Sequence, residues 1–372
     1  MNPDSLFCPN FDCPARGQTS EGNIRLHHHA KKRFRCDVCQ KTFSATKGTI
    51  FYRLKTDPQI VMCVIILLAF GCPVQAIVRA FGFDERTIRS WWRRAGDHCQ
   101  EVHQRRVIDP KVDLGHVQAD EIKVKVQGQS HWMAMAIMVR TRLWLGGVVS
   151  PKRDKQLIQQ LANQIASMAL CRPILLAVDG LKVYILAFRR AFRGKKRVTF
   201  GRPPYVPWSD VAIVRVIKEH KAGNFEIRRE IVQGCETMIE KLRSFSQKGN
   251  GVINTAYIER LNGTFRQRLS PLTRRSRQLA AQPKTIEAGM FIVGCFYNFC
   301  EAHDSLRKQL WLTKNRYRWV KMTPAIATGL TDHLWTYHEL LTYPLPPPRW
   351  TPPIKMGRPT RQDIALRERW CT

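Results

Sequence analysis

The chain has 372 residues, with 61 Lys and Arg against 29 Asp and Glu, a formal net charge of +32 and an isoelectric point near 10.2. Such an excess favours a polyanionic partner through phosphate contacts and counterion release, and 44% hydrophobic residues at this length suffice for two or three domain cores. A membrane protein or a secreted disulfide scaffold is excluded: the best apolar run, 60–70, is closed by Gly71-Cys72-Pro73, and Met1-Asn2-Pro3-Asp4 is no secretory leader, so a cytoplasmic, nucleoid-associated protein with reduced cysteines is expected.

From the amino terminus, Cys8-Pro9-Asn10-Phe11-Asp12-Cys13 and Cys36-Asp37-Val38-Cys39 form two cysteine pairs separated by a polar loop. Thiolates at this spacing suit tetrahedral Zn²⁺. Residues 1–56 therefore read as a zinc ribbon whose ion is structural, because so small a module needs its metal to fold. Four thiolates complete the shell, which favours His27, His28 and His29 as an exposed tip over replacement ligands. The other eight cysteines are scattered and expected to pack as small buried hydrophobes.

After a linker at about 49–57, an apolar helix over 58–70 breaks at Gly71-Cys72 and restarts at Pro73; Gly82-Phe83 then turns the chain before Asp84, a candidate N-cap. This is a helix-turn-helix rhythm, assigned to 57–108. In its last helix Ile88, Trp91, Trp92 and Ala95 share an apolar face. Arg86, Arg89, Ser90 and Arg93 share another, which can enter a DNA major groove or be simply solvated.

From about residue 112 the pattern changes to strands at 117–126, 132–140 and 143–149, followed by a helix over 152–169 and a strand over 173–178. A helix over 181–192 ends in Arg189-Arg190. The segment at about 194–250 is expected to be a β-rich insertion, with a hairpin of 211–219 and 224–234 joined through Lys221-Ala222-Gly223; its basic approach either grips DNA or is solvated. Another helix is expected over 284–307. The proline-rich stretch 344–353 and the polar end suggest a tail with little fold of its own.

Three acids stand out in so basic a chain. Asp120 and Asp179 lie in or at the end of apolar, β-branched runs that read as buried strands, whereas Glu259 opens a segment of helical period. Carboxylates at strand ends and on an abutting helix can converge on divalent metal, and paired Mg²⁺ ions can activate an attacking oxygen and stabilise a leaving oxygen at a phosphodiester. On the helix, Ile258, Leu261, Phe265 and Leu269 form the packing stripe, and Glu259, Asn262 and Arg266 lie beside it. Glu259 can thus bind metal while Asn262 and Arg266 hold a phosphate. An Asp before Gly, as at Asp179-Gly180, is also a common turn residue. Glu121 competes with Asp120, since neighbours on a strand cannot both point into one site.

The spaced Asp, Asp, Glu set, the Tyr257-Ile258-Glu259-Arg260-Leu261-Asn262 helix, and the Tyr297-Asn298 and His303-Asp304-Ser305-Leu306 segments resemble a bacterial insertion-sequence transposase of the DDE class, IS1-like in its zinc-ribbon front end. The resemblance spans most of the chain. It implies an RNase H-like catalytic fold, two Mg²⁺ ions (Mn²⁺ able to substitute) held by Asp120, Asp179 and Glu259, and strand transfer by a free 3′ hydroxyl. Asp120 is chosen over Glu121 on this pattern, leaving Glu121 solvent-facing or supporting. Arg266 matches a basic residue seven places after the Glu, and Tyr297, Asn298 and His303 buttress the catalytic helix. The implied partners are double-stranded DNA, at element ends and target, and further copies of the chain in a homodimer or higher oligomer. The expected architecture is multidomain: zinc ribbon (1–56), helix-turn-helix (57–108), α/β RNase H-like domain (109–310) with its β-rich insertion, and carboxy-terminal extension (311–372). The long gap between Asp179 and Glu259 departs from the pattern. Two other readings remain: a non-catalytic DNA-binding regulator, and a metal-dependent nuclease that cuts without joining.

Overall fold

The computed structural model describes residues 3–170, 173–221, 224–246, 251–273, 282–314, 316–353, 357 and 359–371. Its strands in chain order are β1 (Ile24–His28), β2 (Arg33–Cys36), β3 (Thr42–Ser44), β4 (His116–Val126), β5 (Gln129–Met138), β6 (Trp144–Ser150), β7 (Ile174–Val178), β8 (Arg193–Lys195), β9 (Tyr205–Pro207), β10 (Val211–Lys221), β11 (Asn224–Gln233), β12 (Lys308–Thr313) and β13 (Arg316–Val320). The helices are α1 (Pro58–Ala69), α2 (Val74–Phe81), α3 (Glu85–His103), α4 (Lys155–Met168), α5 (Lys182–Ala191), α6 (Glu236–Ser246), α7 (Ala256–Arg268), α8 (Pro283–Cys295), α9 (Pro324–Thr328), α10 (Tyr337–Thr342) and α11 (Arg361–Trp370). No helix among the described residues is long and apolar enough to cross a membrane. The chain divides into two compact units, 1–62 with 338–372, and 63–337.

In the first unit the three-stranded sheet β1-β2-β3 packs Leu6, Ile24, Phe34, Phe43 and the cysteines into a small core. The carboxy-terminal segment, expected to have little fold of its own, contributes a helix to this core. Thr360 and Asp363 form a reciprocal capping box that starts α11, and Trp370 at its end is 2% exposed and packs among the ribbon residues. Gln18 Nε2 donates to the Trp370 carbonyl at 2.8 Å. A core this small gains from one large indole what it cannot find within its own sheet.

The second unit is built on a mixed six-stranded sheet of order β11-β10-β7-β4-β5-β6. Strands β4, β5 and β6 form an antiparallel meander, and β7 returns parallel to β4 after α4. The hairpin β10–β11 corrects the expectation of an inserted module: β10 runs parallel to β7, pairing Val211 with Ile174 through Arg215 with Val178, and so extends the main sheet. Its Ala212, Val214 and Val216 are buried with Leu175, Ala177 and residues of α6, which explains why an apolar run occurs there. Residues Cys171, Ala222 and Gly223 lie outside the described residues. Of the other scattered cysteines, Cys99, Cys295 and Cys300 are buried as expected, but Cys63, Cys235 and Cys371 are exposed.

The three helices α1 to α3 follow the sequence signals. Gly82 ends α2 in the left-handed conformation (φ 70°) that a side chain rarely adopts, and the Asp84 side chain caps α3 by accepting from the Arg86 N–H at 2.7 Å. Ile88, Trp91, Trp92 and Ala95 are buried as their shared face requires. They meet α8, where Gly96 allows so close a crossing that a Cβ there would stand 2.3 Å from Ala288 Cβ. The helix expected over 284–307 continues from α8 only as a π turn through Cys300. There Asn298 clasps Trp144 of β6, its Oδ1 accepting from the Trp144 N–H and its Nδ2 donating to the Trp144 carbonyl, both at 2.9 Å.

His103 lies against Trp144 and His116 faces Ser246, and burial holds both imidazoles neutral, lowering them to about 4 and about 3 respectively. Both take up a proton near 6.5 once unfolded, so the unfolded state binds more protons below that pH and stability drops as pH falls from about 6.5 towards 4. Denaturant unfolding across this range should show stability falling by about 1.4 kcal/mol per histidine for each pH unit. His103→Phe, which keeps a ring against Trp144, should flatten that dependence.

Candidate metal centres

The four cysteines predicted as ligands come together. Cys8, Cys13, Cys36 and Cys39 place their sulfurs within 4.8 Å of one another, with Cys8 Sγ 3.6 Å from Cys39 Sγ and Cys13 Sγ 3.8 Å from Cys36 Sγ. A tetrahedron with metal–sulfur bonds of about 2.3 Å has edges of about 3.8 Å, so these separations fit a zinc-sized ion. Asn23 Nδ2 donates to Cys36 Sγ at 3.4 Å, a contact that favours a thiolate there. Without an ion, the hydrogen bond with Cys13 and then burial push the Cys8 thiol up, and burial does the same to Cys36. His27, His28 and His29 are exposed and outside the group, as the tip reading expects.

The second group lies midway along β4, where the neighbouring strand β7 ends. Asp120, Glu121 and Asp179 place carboxylate oxygens within 4.8 Å of one another. Strand β4 does alternate: Gln118 and Asp120 face α7, while Glu121 faces α4 and α5. Both acids nevertheless reach Asp179, because β7 ends at Val178, opposite Ala119, and Asp179 stands past the end of its strand where either side of the sheet is accessible. Of the two expectations for Glu121, solvent-facing or supporting, the structure agrees with the supporting one. Its side chain is 0% exposed, accepts from the Tyr184 hydroxyl at 2.6 Å and is paired with Arg153, whose guanidinium also lies 3.9 Å from Asp179 Oδ2 and over the Trp132 ring. Burial, with the charges of Glu121 and Asp179 behind it, pushes the Asp120 carboxyl up to about 7; burial raises Asp179 too. Crowded carboxylates of this kind are suited to a divalent cation, whose charge offsets their burial and mutual repulsion.

Glu259 stands beside this group without joining it. It is exposed, ion-paired with Lys218 of β10 and hydrogen-bonded by Thr255 Oγ1. Asn262, expected to hold a phosphate, is 1% exposed and donates through Nδ2 to Asp120 Oδ2 at 2.8 Å, so it positions the carboxylate instead. Arg266 is half-buried and has no ion pair among the described residues. On α3, Arg86, Ser90 and Arg93 are exposed, whereas Arg89 is paired with Glu85, which also accepts from Gln75 at 2.7 Å. Tyr297 and His303 stack edge to face 4.3 Å apart.

Four residues escaped the sequence reading. Gln118 Oε1 accepts from the backbone N–H groups of Tyr257 and Ile258, at 3.0 and 3.1 Å, and its Nε2 donates to the Asn254 carbonyl at 2.6 Å. It caps α7 from the neighbouring strand. Its signal was available: it precedes Asp120 by two residues and so shares its face. Arg153, Tyr184 and Lys218 carried no comparable signal, since a lone basic or tyrosine residue has many roles. No protein-family model matches the chain, and no curated protein matches it.

Cys36→Ser should abolish stoichiometric zinc in the purified full-length protein, as measured by elemental analysis, while circular dichroism of the protein keeps its α/β signal. Zinc retained at wild-type stoichiometry would show that these sulfurs are not the ligands. At the acidic group, Mn²⁺ affinity measured by titration should fall about tenfold per pH unit below about 7, where the cation must displace the Asp120 proton. Asp120→Asn should remove that pH dependence along with most of the affinity.

Proposed function

We propose that this protein is a DNA transposase of the DDE class, which binds the ends of a mobile element and catalyses Mg²⁺-dependent strand cleavage and strand transfer. The observation that carries the reading is the meeting of Asp120, midway along β4, with Asp179, just past the end of the parallel strand β7, with α7 bringing Glu259 alongside. A meander, helix, strand order with the two acids on neighbouring central strands supports an RNase H-like core. The net charge of +32 supports a DNA partner, and the exposed Arg86, Ser90 and Arg93 on α3 supply a face for it.

Asp120 and Asp179 serve as ion ligands, with Asn262 holding one Asp120 oxygen so that the other is aimed. When bound, Mg²⁺ supplies activation of the attacking oxygen and charge stabilisation at the leaving oxygen. For the third acid, Glu121 competes with Glu259. Glu121 is dry, and both its oxygens already accept from Arg153 and Tyr184, so its charge is committed to orienting the site. Glu259 is exposed and its partner Lys218 has a long, flexible stem, so a cation can replace the ammonium there. Arg266, on the same helix, remains for a phosphate. The protein acts on DNA as a homodimer or higher oligomer, with zinc holding the amino-terminal ribbon for end recognition.

Cleavage and joining on a labelled duplex containing the DNA that flanks the coding frame test this. Asp120→Asn, Asp179→Asn and Glu259→Gln should each reduce Mg²⁺-dependent chemistry by about a thousandfold or more while gel-shift binding persists, because ligands acting as one unit fail together. Glu121→Gln, which keeps an acceptor for Tyr184, should retain more activity than any of them. Joining at the wild-type rate by Asp179→Asn or Glu259→Gln would overturn the assignment. Cutting without joining would point to a nuclease, and binding with neither would point to a regulator.

A further inference from the structure

The strands β12 and β13 form a two-stranded ribbon that belongs to no larger sheet, and every residue of β12 and four of the five in β13 are exposed. A ribbon without a core on either face is marginal in water, so its side chains need a reason to be there. Its register sorts them cleanly. Trp311 lies opposite Tyr317 and Gln309 opposite Trp319, which puts three aromatic rings on one face, Trp311 and Tyr317 edge to face at 5.1 Å and Tyr317 and Trp319 at 5.9 Å. Arg307 closes the ladder, 4.3 Å over the Trp319 ring. Leu310 lies opposite Arg318 and Lys308 opposite Val320, which puts Lys308 and Arg318 on the other face; Arg316, two residues from Arg318 on β13, follows them by the two-residue period, past a register shift between Trp311 and Thr313.

Charge decides what meets it. From 305 to 331 the sequence holds six basic residues, Arg307, Lys308, Lys314, Arg316, Arg318 and Lys321, and no acid. A second copy of the ribbon would bring like charges together across open strand edges, which is unfavourable, whereas a polyanion is complementary along the whole length. The DNA major groove, about 12 Å wide, accepts a two-stranded ribbon.

We propose that β12–β13 is a DNA-contact element separate from the arginine face of α3: it lies in the major groove of duplex DNA with Lys308, Arg316 and Arg318 at the phosphates, braced from behind by the aromatic ladder. This rests on the DNA reading given above. The brace keeps the strands paired without burying them, and the contacts are to backbone charge, so the element adds affinity independent of sequence.

The test uses the full-length protein, a mixed-sequence duplex and a thymidine single strand of equal length, with affinity measured over a series of salt concentrations. Arg316→Gln combined with Arg318→Gln should weaken duplex binding about tenfold and reduce the steepness of the log affinity against log salt plot by about two, one for each lost phosphate contact. The Lys pair at the same positions should restore the slope. Trp311→Ala should lower affinity with the slope unchanged, because it loosens the brace without removing charge. Since these side chains are exposed, melting temperatures should match wild type. Duplex binding unaltered in both affinity and slope would overturn the ribbon assignment and leave the DNA reading standing; no duplex binding by the wild-type protein would overturn both. A loss confined to the single strand would also overturn the groove assignment, as would a change in sedimentation showing that the substitutions disrupt self-association.

Discussion

The site depends on one clasp between a strand and a helix. Gln118 of β4 accepts from the first free N–H groups of α7, and two residues along the same strand face Asp120 accepts from Asn262 of that helix. Helix starts leave donors that must be satisfied somewhere, and here Asn254 Oδ1 accepts from the Ala256 N–H while a strand amide takes the next two. The two contacts fix both the depth and the rotation of α7 against the sheet. Glu259 and Arg266 are therefore presented on a helix that cannot slide or turn without uncapping itself and releasing a buried Asn, a loss of about 1–3 kcal/mol for each unsatisfied polar group.

Charge balance around the acids follows from that geometry. Asp120 is flanked by Glu121 and Asp179 in a half-buried setting, and its carboxyl is raised to about 7 as a result. Two cations relieve the crowding from opposite sides: Arg153 against Glu121 and Asp179, and Lys218 against Glu259. Arg153 lies over Trp132, whereas Lys218 is an exposed strand residue that pairs with Glu259 and whose charge also reaches Asp179. Arg153 belongs to the architecture.

Packing keeps this end of the sheet rigid. Helix α3 crosses α8 at Gly96 and Ala288, and α8 leads into the turn whose Asn298 clasps Trp144 of β6. Trp144 in turn touches Phe265 of α7 and Phe291 of α8. The helix that offers Arg86, Ser90 and Arg93 to solvent is thus packed by its apolar side against the layer that carries Glu259.

Residue chemistry and local period were enough to find the cysteine set, the meander and the apolar faces of α3 and α7, because thiolate spacing, strand alternation and helical stripes are written in neighbouring residues; the choice of Asp120 over Glu121 rested on the family resemblance. What the sequence could not determine were pairings across long separations. Whether β10 joined the main sheet depended on its parallel register with β7, some forty residues away, and a run of alternating apolar residues fits a free hairpin equally well. The fates of Glu121 and Asn262 turned on where β7 stops and which side chain reaches the first turn of α7, and the docking of Trp370 depended on a cavity in the amino-terminal core. Each is a contact between segments whose local sequence is compatible with several partners, and only burial in a common core selects among them.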